Sequence, residues 1–153
     1  MAYEARLQEL GIVLPDVSPP LASYVPVMVQ GDLAFVSGQL PFVDGELVTG
    51  TLGKDVELDQ AVVAARACGL MILAQLKAAV GSLDKVERVV KLGGFVASTP
   101  DFTDQHKVVN GASDLMAEVF GDAGRHARAA VGVPSLPVGA AVEVDAVIAL
   151  SAD

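Results

Sequence analysis

The feature that most constrains the fold is a helical repeat that runs from residue 57 to residue 80. Aliphatic and small residues recur there every three or four positions, which is the spacing of one helix face: Leu58, Val62, Ala65, Gly69, Ile72, Leu76 and Val80. Gly81 follows directly, and glycine commonly ends a helix. The sequence therefore predicts a long helix over residues 57–80. Polar and charged residues within it argue against a membrane span: Asp59, Arg66, Gln75 and Lys77.

Strand and helix patterns flank this helix on both sides. Residues 25–40 predict two strands joined by a turn at Gly31-Asp32, and residues 86–98 predict a third strand. A short helix is predicted over residues 3–11. The Gly-rich segment 42–56 predicts a loop that is long enough to form part of a pocket rim.

A second long helix is predicted after the third strand. Thr99 can act as its N-cap, Pro100 suits its first turn, and Gly121 can end it after Phe120. The Asn110-Gly111 pair inside it is a poor helical pair. Such a weakness indicates either a tertiary or functional use, or a tolerated flaw.

The segment "HARAAVGVPSLPVGAAVEVDAV", residues 126–147, contains two apolar, strand-like runs around a Pro-bounded turn. We predict that the two runs form an antiparallel hairpin. The element order is then ββαβαββ, an α+β fold with a mostly antiparallel sheet and two helices on one face. The other sheet face has no cover within the chain. Because 52% of the residues are hydrophobic and only 5% are aromatic, we expect this aliphatic surface to be hidden in a subunit interface.

Length, charge and cysteine content narrow the class of protein further. The 153 residues suggest a single domain over 1–153. A formal net charge of −9 argues against binding to nucleic acid. The single Cys68 cannot form an intramolecular disulfide, and no leader pattern opens the chain, so a cytoplasmic location is expected. His106 and His126 are expected to be solvated, and they do not form a metal site.

The predicted hairpin carries charges in a regular pattern. Val142 and Val144 share one face of the last strand, whereas Glu143 and Asp145 share the other. We predict Ala130 opposite Glu143 and Arg128 near Asp145, which places Arg128 and Glu143 on the same face. Two interpretations remain open. Arg128 forms an ion pair across the strands, or its planar fork binds the carboxylate of a ligand.

Two motifs together resemble the Rid family, also called YjgF or L-PSP endoribonuclease-like. They are "VSGQLP" (36–41) and "RAAVGVPSLPVGAAVEVDAV" (128–147). Their order and spacing resemble the family over about residues 20–150, which makes residues 1–19 an N-terminal extension. The resemblance implies a chorismate-mutase-like fold, assembled as a homotrimer in which three sheets form a central barrel with ligand clefts between subunits.

The resemblance also implies an activity, the hydrolysis of reactive enamines and imines. The products are 2-oxo acids and ammonia from 2-imino acids, and no metal or organic cofactor is used. Arg128 matches the arginine that binds the substrate carboxylate, and Glu143 matches the glutamate that positions or activates water. Tyr24 lies where the family has a tyrosine before the first strand.

Further site residues follow from the same resemblance. Ser37 and Gly38 match the SGQ turn beside the pocket, and Asn110 matches a helical asparagine. Ala130 stands where the family often has a cysteine, so chemistry that depends on that thiol is absent. Structural roles remain open for three of these residues: Tyr24 as an interfacial aromatic, Ser37 as a turn residue, and Gly38 as a residue required by backbone conformation.

Three functions compete at this level. The first is the imine deaminase, with a small imino or oxo acid as its partner. The second is a trimer that binds small carboxylates without catalysis, and the third is the ribonuclease of the older family name. The acidic charge weighs against the third. Glu143 favours the first over the second, because an anion binder gains little from a carboxylate that faces its ligand.

Overall fold

The computed structural model describes residues 2–17 and 23–152. The elements in chain order are α1 (Tyr3–Leu10), β1 (Val27–Gln30), β2 (Leu33–Gln39), β3 (Phe42–Val43), β4 (Glu46–Leu47), α2 (Leu58–Val80), β5 (Val86–Ala97), α3 (Gln105–Phe120), β6 (Ala127–Val133) and β7 (Val142–Leu150). The centre of the Pro-rich connector, residues 18–22, lies outside the described residues.

Several predicted elements are confirmed. The long helix is α2, and the glycine that follows it has a positive φ of 96°. The predicted turn joins β1 to β2, with Gln30 opposite Leu33 and Gly31 at a φ of 64°. By length and hydropathy, α2 is the one helix among the described residues that could cross a membrane. Its packing against α3 and the sheet accounts for its apolar face instead.

The segment predicted as a loop contains a small ribbon. β3 pairs with β4, and Asp44 and Gly45 form the turn between them, both with positive φ. The rest of 42–56 has the irregular structure that was expected.

The predicted start of α3 is wrong by several residues. The helix begins at Gln105, and Thr99 is not its N-cap. The Thr99 N–H donates to the Leu52 carbonyl over 3.0 Å, and the Phe102 N–H donates to the Thr99 carbonyl over 3.2 Å. These bonds tie Thr99 to the preceding loop and close a turn, so the helix can begin only after that turn.

The predicted hairpin over 126–147 is also wrong. The strand order is β1-β2-β7-β5-β6, so β5 lies between β6 and β7. β6 runs parallel to β5, because α3 provides the crossover that a parallel pair needs. β7 is antiparallel to both its neighbours, and Val144 lies opposite Gln39 on one side and Gly94 on the other. The apolar β7 thereby pairs its backbone groups along both edges.

The two faces of the sheet differ as the sequence predicted. α2 packs against β2 and β7, whereas α3 packs against β5 and β6. The helix-facing side chains of β7 are buried: Val142, Val144, Ala146 and Ile148. The other face carries apolar side chains that are exposed in one chain: Met28 (56% exposed), Phe35 (43%) and Val131 (46%). We call it the open face.

Close contact between the two long helices explains the weak helical pair in α3. A Cβ at residue 111 would overlap the Val62 carbonyl oxygen of α2. Gly111 therefore has a tertiary use, since it lets α3 approach the backbone of α2.

The N-terminal helix packs against the same layer. The Tyr3 ring meets the Phe120 ring edge to face, with centroids 4.7 Å apart. The Glu4 carboxylate accepts hydrogen bonds from Lys77 Nζ (2.7 Å) and from the Leu83 N–H (2.7 Å). α1 is thus joined to both α2 and α3.

Candidate active site

Arg128 lies on the edge strand β6, opposite Leu92 of β5, and points toward the helices. Its Nη1 donates to Asn110 Oδ1 (2.8 Å) and to Ser113 Oγ (3.1 Å). Its Nη2 donates to the His106 carbonyl oxygen (3.3 Å). All three acceptors belong to α3 and all are uncharged. The structure thus brings two of the candidate site residues, Asn110 and Arg128, into contact.

Glu143 lies on the central strand β7, opposite Phe95, and points to the open face. Its carboxylate covers Gly38 of β2 so closely that a Cβ at residue 38 would overlap it. A glycine is thus needed at residue 38 because a larger side chain would overlap Glu143. Its φ is not positive, so backbone conformation is not the reason. The neighbouring Ser37 hydroxyl donates to the Val25 carbonyl oxygen (2.8 Å) and holds the chain beside β1.

A second carboxylate lies two residues along the same face. A Cβ at residue 93 would overlap the Asp145 carboxylate, so Gly93 makes room for it as Gly38 does for Glu143. Burial raises the pKa of Glu143, and the charge of Asp145 raises it further. Burial also raises the pKa of Asp145, although the Gly93 N–H and Lys91 act in the opposite direction.

The expected meeting of Arg128 with Glu143 does not occur within the chain. Ala130 lies opposite Gly94 rather than Glu143, and Gly93 rather than Arg128 lies opposite Asp145. Arg128 and Glu143 therefore occupy opposite faces of the sheet. Among the described residues, Arg128 forms none of the ion pairs, so the cross-strand ion pair is also excluded.

Tyr24 is exposed and is one of the residues that line an open cleft of about 1000 Å³. β1 covers β2 only as far as Val36, which leaves Gly38 and Gln39 at the sheet edge where the cleft reaches them. The ribbon residues Phe42–Gly45 form part of the rim, as expected of this segment. The remaining wall is largely apolar and includes Val63, Leu70 and Met71 of α2.

Two residues around Arg128 were missed by the sequence analysis. Ser113 contacts both Arg128 and His126, and His126 is half-buried rather than solvated. The signal for Ser113 was its position three residues after Asn110, on the same helix face. His126 had no comparable signal. His106 is exposed, as predicted.

The described residues contain no group of metal-ligating side chains. Cys68 is buried in α2 as predicted, and burial raises the pKa of its thiol.

Comparison with known proteins shows the family and the fold. The family described as "YjgF/chorismate_mutase-like, putative endoribonuclease" matches residues 4–150. Protein TCP17 of Trypanosoma cruzi is 53% identical over 149 residues, which cover 96% of this chain and 93% of that protein. The match to the family begins within α1, so the N-terminal helix is included in it.

Two solved structures have the same fold over nearly their whole length. Atu1372 of Agrobacterium tumefaciens, of unknown function, is 53% identical with a TM-score of 0.87, covering 97% of this chain and 91% of that one. A "putative endoribonuclease" from Shewanella oneidensis MR-1 is 34% identical with a TM-score of 0.93, covering 98% and 100%. The chain therefore belongs to the YjgF/chorismate-mutase-like family.

Proposed function

We propose that the protein hydrolyses reactive 2-imino acids and their enamine tautomers to 2-oxo acids and ammonia. The observation that carries the proposal is the state of Arg128. A guanidinium has five N–H donors, and three of them reach uncharged acceptors on α3. Among the described residues, the Nε–H and one Nη2–H have no acceptor. These two donors suit the carboxylate that every 2-imino acid carries.

The site would be completed by a second subunit. Arg128 and Glu143 lie on opposite faces of one sheet, so both can meet a substrate only if each comes from a different chain. The apolar open face is the surface expected to be covered in an assembly. A homotrimer whose sheets form a central barrel, with clefts between subunits, satisfies both requirements.

The chemistry needs only a few groups. Arg128 of one subunit holds the substrate carboxylate, and Glu143 of its neighbour accepts a proton from water as the water oxygen bonds to the imine carbon. That proton passes to the nitrogen, which gives a carbinolamine. Its hydroxyl proton then moves to the amine as the C–N bond breaks, so that a carbonyl forms and ammonia leaves. The balance is R–C(=NH)–COO⁻ + H₂O → R–CO–COO⁻ + NH₃. A carboxylate whose pKa is raised by burial is a better base for this step than an exposed one.

We place the side chain of the substrate in the cleft that reaches Gly38, although neither Arg128 nor Glu143 is among the residues that line it. Its wall is formed mainly by aliphatic and aromatic residues, and Tyr24 is one of them. Such a wall favours an apolar side chain over a charged one. Imines of aliphatic and aromatic amino acids are therefore the preferred substrates, with Tyr24 and the backbone near Ser37 as hydrogen-bond donors.

Two other functions have weaker support. A binder of small carboxylates would use Arg128 in the same way but has no use for Glu143. A ribonuclease must attract phosphates, which a net charge of −9 disfavours. The proposed reaction needs no metal or organic cofactor, and we propose that it takes place in the cytoplasm.

The test is an assay of the purified protein on freshly generated imines of several amino acids. Ammonia release should exceed the spontaneous rate and should be greatest for apolar side chains. If no imine is hydrolysed but 2-oxo acids bind through Arg128, the protein is a carboxylate binder. Tight RNA binding that weakens steeply with added salt would support the ribonuclease instead.

A further inference from the structure

A short chain of hydrogen bonds leads away from the Arg128 guanidinium. Arg128 Nη1 lies 3.1 Å from Ser113 Oγ, and Ser113 Oγ lies 2.8 Å from His126 Nε2. His126 Nδ1 lies 2.6 Å from the Gly124 carbonyl oxygen. Neither Ser113 nor His126 is part of the motifs that identify the family.

The donors in this chain all point the same way. A carbonyl oxygen only accepts, so His126 Nδ1 carries the proton and donates to Gly124. In the neutral imidazole Nε2 is then an acceptor, and the Ser113 hydroxyl donates a hydrogen bond to it. The Ser113 lone pairs remain to accept from Arg128 Nη1. Every group in the chain therefore has a partner, which fixes both the hydroxyl and the ring.

The far end of the chain is anchored to the helix layer. Gly124 is buried, and a Cβ there would overlap the Met116 carbonyl oxygen of α3. The Gly124 carbonyl accepts the hydrogen bond from His126. The backbone at Gly124 thus packs against α3, the helix that carries Ser113. The guanidinium is held from two directions, by Asn110 and Ser113 through Nη1 and by the His106 carbonyl through Nη2.

We propose that Ser113 and His126 are positioning residues that hold the Arg128 guanidinium in the orientation that binds a substrate carboxylate. This inference rests on the proposed role of Arg128. With both Nη1 protons bound to Asn110 and Ser113, the donors left for a ligand are the Nε–H and one Nη2–H. Holding a long side chain in place before the ligand arrives lowers the entropy lost on binding. Loss of either residue should therefore weaken carboxylate binding without removing the guanidinium.

The experiment measures binding of pyruvate and 2-oxobutanoate by calorimetry, so that it does not depend on turnover. Ser113→Ala and His126→Phe should each raise Kd by about threefold to tenfold, the size expected for the loss of one hydrogen bond. Ser113→Thr keeps the hydroxyl and His126→Gln keeps an acceptor, so both should bind more tightly than their partner variants. Asp114→Asn, at the exposed position next to Ser113 on α3, is the matched control and should bind like the native protein, because Asp114 forms none of the hydrogen bonds to Arg128 among the described residues.

Two further measurements separate positioning from a general loss of structure. In the double variant, Ser113→Ala should raise Kd little beyond the increase that Arg128→Lys causes alone, because Ser113 acts through Arg128. In imine hydrolysis the same variants should raise KM more than they lower kcat. Should Ser113→Ala not fold, the comparison of His126→Phe with His126→Gln decides the question alone.

The outcomes also distinguish this inference from the proposed function. If Arg128→Lys loses binding but Ser113→Ala and His126→Phe bind like the native protein, the positioning role is wrong and the role of Arg128 stands. If Arg128→Lys binds as tightly as the native protein, the proposed role of Arg128 fails and the positioning role fails with it.

Discussion

The two halves of the candidate site are built on opposite principles. On the central strand β7, Glu143 and Asp145 lie on the same face, each above a glycine, and their pKa values are raised. On the edge strand β6, Arg128 is surrounded by uncharged oxygen atoms from α3. One half has acidic groups without a guanidinium, and the other has a guanidinium without a carboxylate. The carboxylates of one half and the guanidinium of the other are therefore complementary in charge.

The positions of the two strands are compatible with the proposed site between chains. β7 has neighbours on both sides, so only its open face is available to a partner. β6 has a neighbour on one side only, so its outer edge is available as well. A group on a sheet face and a group at a sheet edge can meet across an interface although one sheet separates them within a chain.

Removing the proposed base, Glu143, should have the largest effect. Glu143→Gln keeps the shape but cannot accept a proton from water, so kcat for imine hydrolysis should fall about a hundredfold or more. Binding of a 2-oxo acid should be kept or slightly improved, because a negative charge is lost. Stopped-flow assays and calorimetry measure the two quantities.

Asp145→Asn is the matched control for this variant, on the same strand and face. It should keep most of the native turnover, because Asp145 lies over Gly93 rather than Gly38. Native turnover in Glu143→Gln would show that Glu143 is not the base.

Changing the guanidinium half should have the next largest effect. Arg128→Lys keeps the charge but loses the planar fork, so 2-oxo acid binding should weaken about tenfold to a hundredfold. Turnover should fall with it. Arg125→Lys, at an exposed position nearby, should leave both unchanged. Equal losses in the two variants would point to net charge rather than to a specific carboxylate site.

The smallest effect is on the melting temperature. Near neutral pH it should have opposite signs when Glu143 and Glu4 are replaced by glutamine. Because the folded-state pKa of Glu143 is raised, its contribution to stability is full below the unfolded pKa and is lost as the pH rises through the folded pKa. Glu143→Gln should therefore unfold at a higher temperature than the native protein near neutral pH, and the gain should vanish in acid.

Glu4 should behave in the opposite way and serves as the control. Burial raises its pKa, but the hydrogen bonds from Lys77 and Leu83 outweigh burial and lower the pKa overall. Its stabilisation is present above the unfolded pKa and is lost as the pH falls through the folded one. Glu4→Gln should lower the melting temperature near neutral pH only. A calorimetric pH series that shows the same sign for both variants would contradict this account.

Local patterns were enough to predict most elements of the fold. The helical repeat of apolar residues predicted α2, and the Gly31-Asp32 pair predicted the β1–β2 turn. The alternation of apolar and charged residues predicted the buried face of β7 correctly. The start of α3 failed because a tertiary hydrogen bond from Thr99 to Leu52 overrides the capping pattern. That bond joins residues far apart in the chain, which a local pattern does not report.

The arrangement of the site was harder to predict for a related reason. A period of two tells which residues share a face, but it does not tell which strand lies alongside or which face is covered. Arg128, Ala130 and Gly132 do share a face, but it is the helix face. Gly132 leaves room for α3, since a Cβ at residue 132 would lie 2.7 Å from Gln105 Nε2. The resemblance supplied the candidate site residues, and the structure shows that Arg128 and Glu143 lie on opposite faces of the sheet.

If one site takes Arg128 from one subunit and Glu143 from another, mixing two inactive variants should restore activity. Arg128→Ala and Glu143→Gln would be unfolded together, refolded at equal amounts, and assayed for imine hydrolysis after native mass spectrometry has verified mixed assemblies. Each variant alone should be nearly inactive. The mixture should recover about a quarter of the native rate, since random assembly pairs an intact Arg128 with an intact Glu143 at about one site in four. Mixed assemblies that are no more active than either variant alone would contradict the shared site.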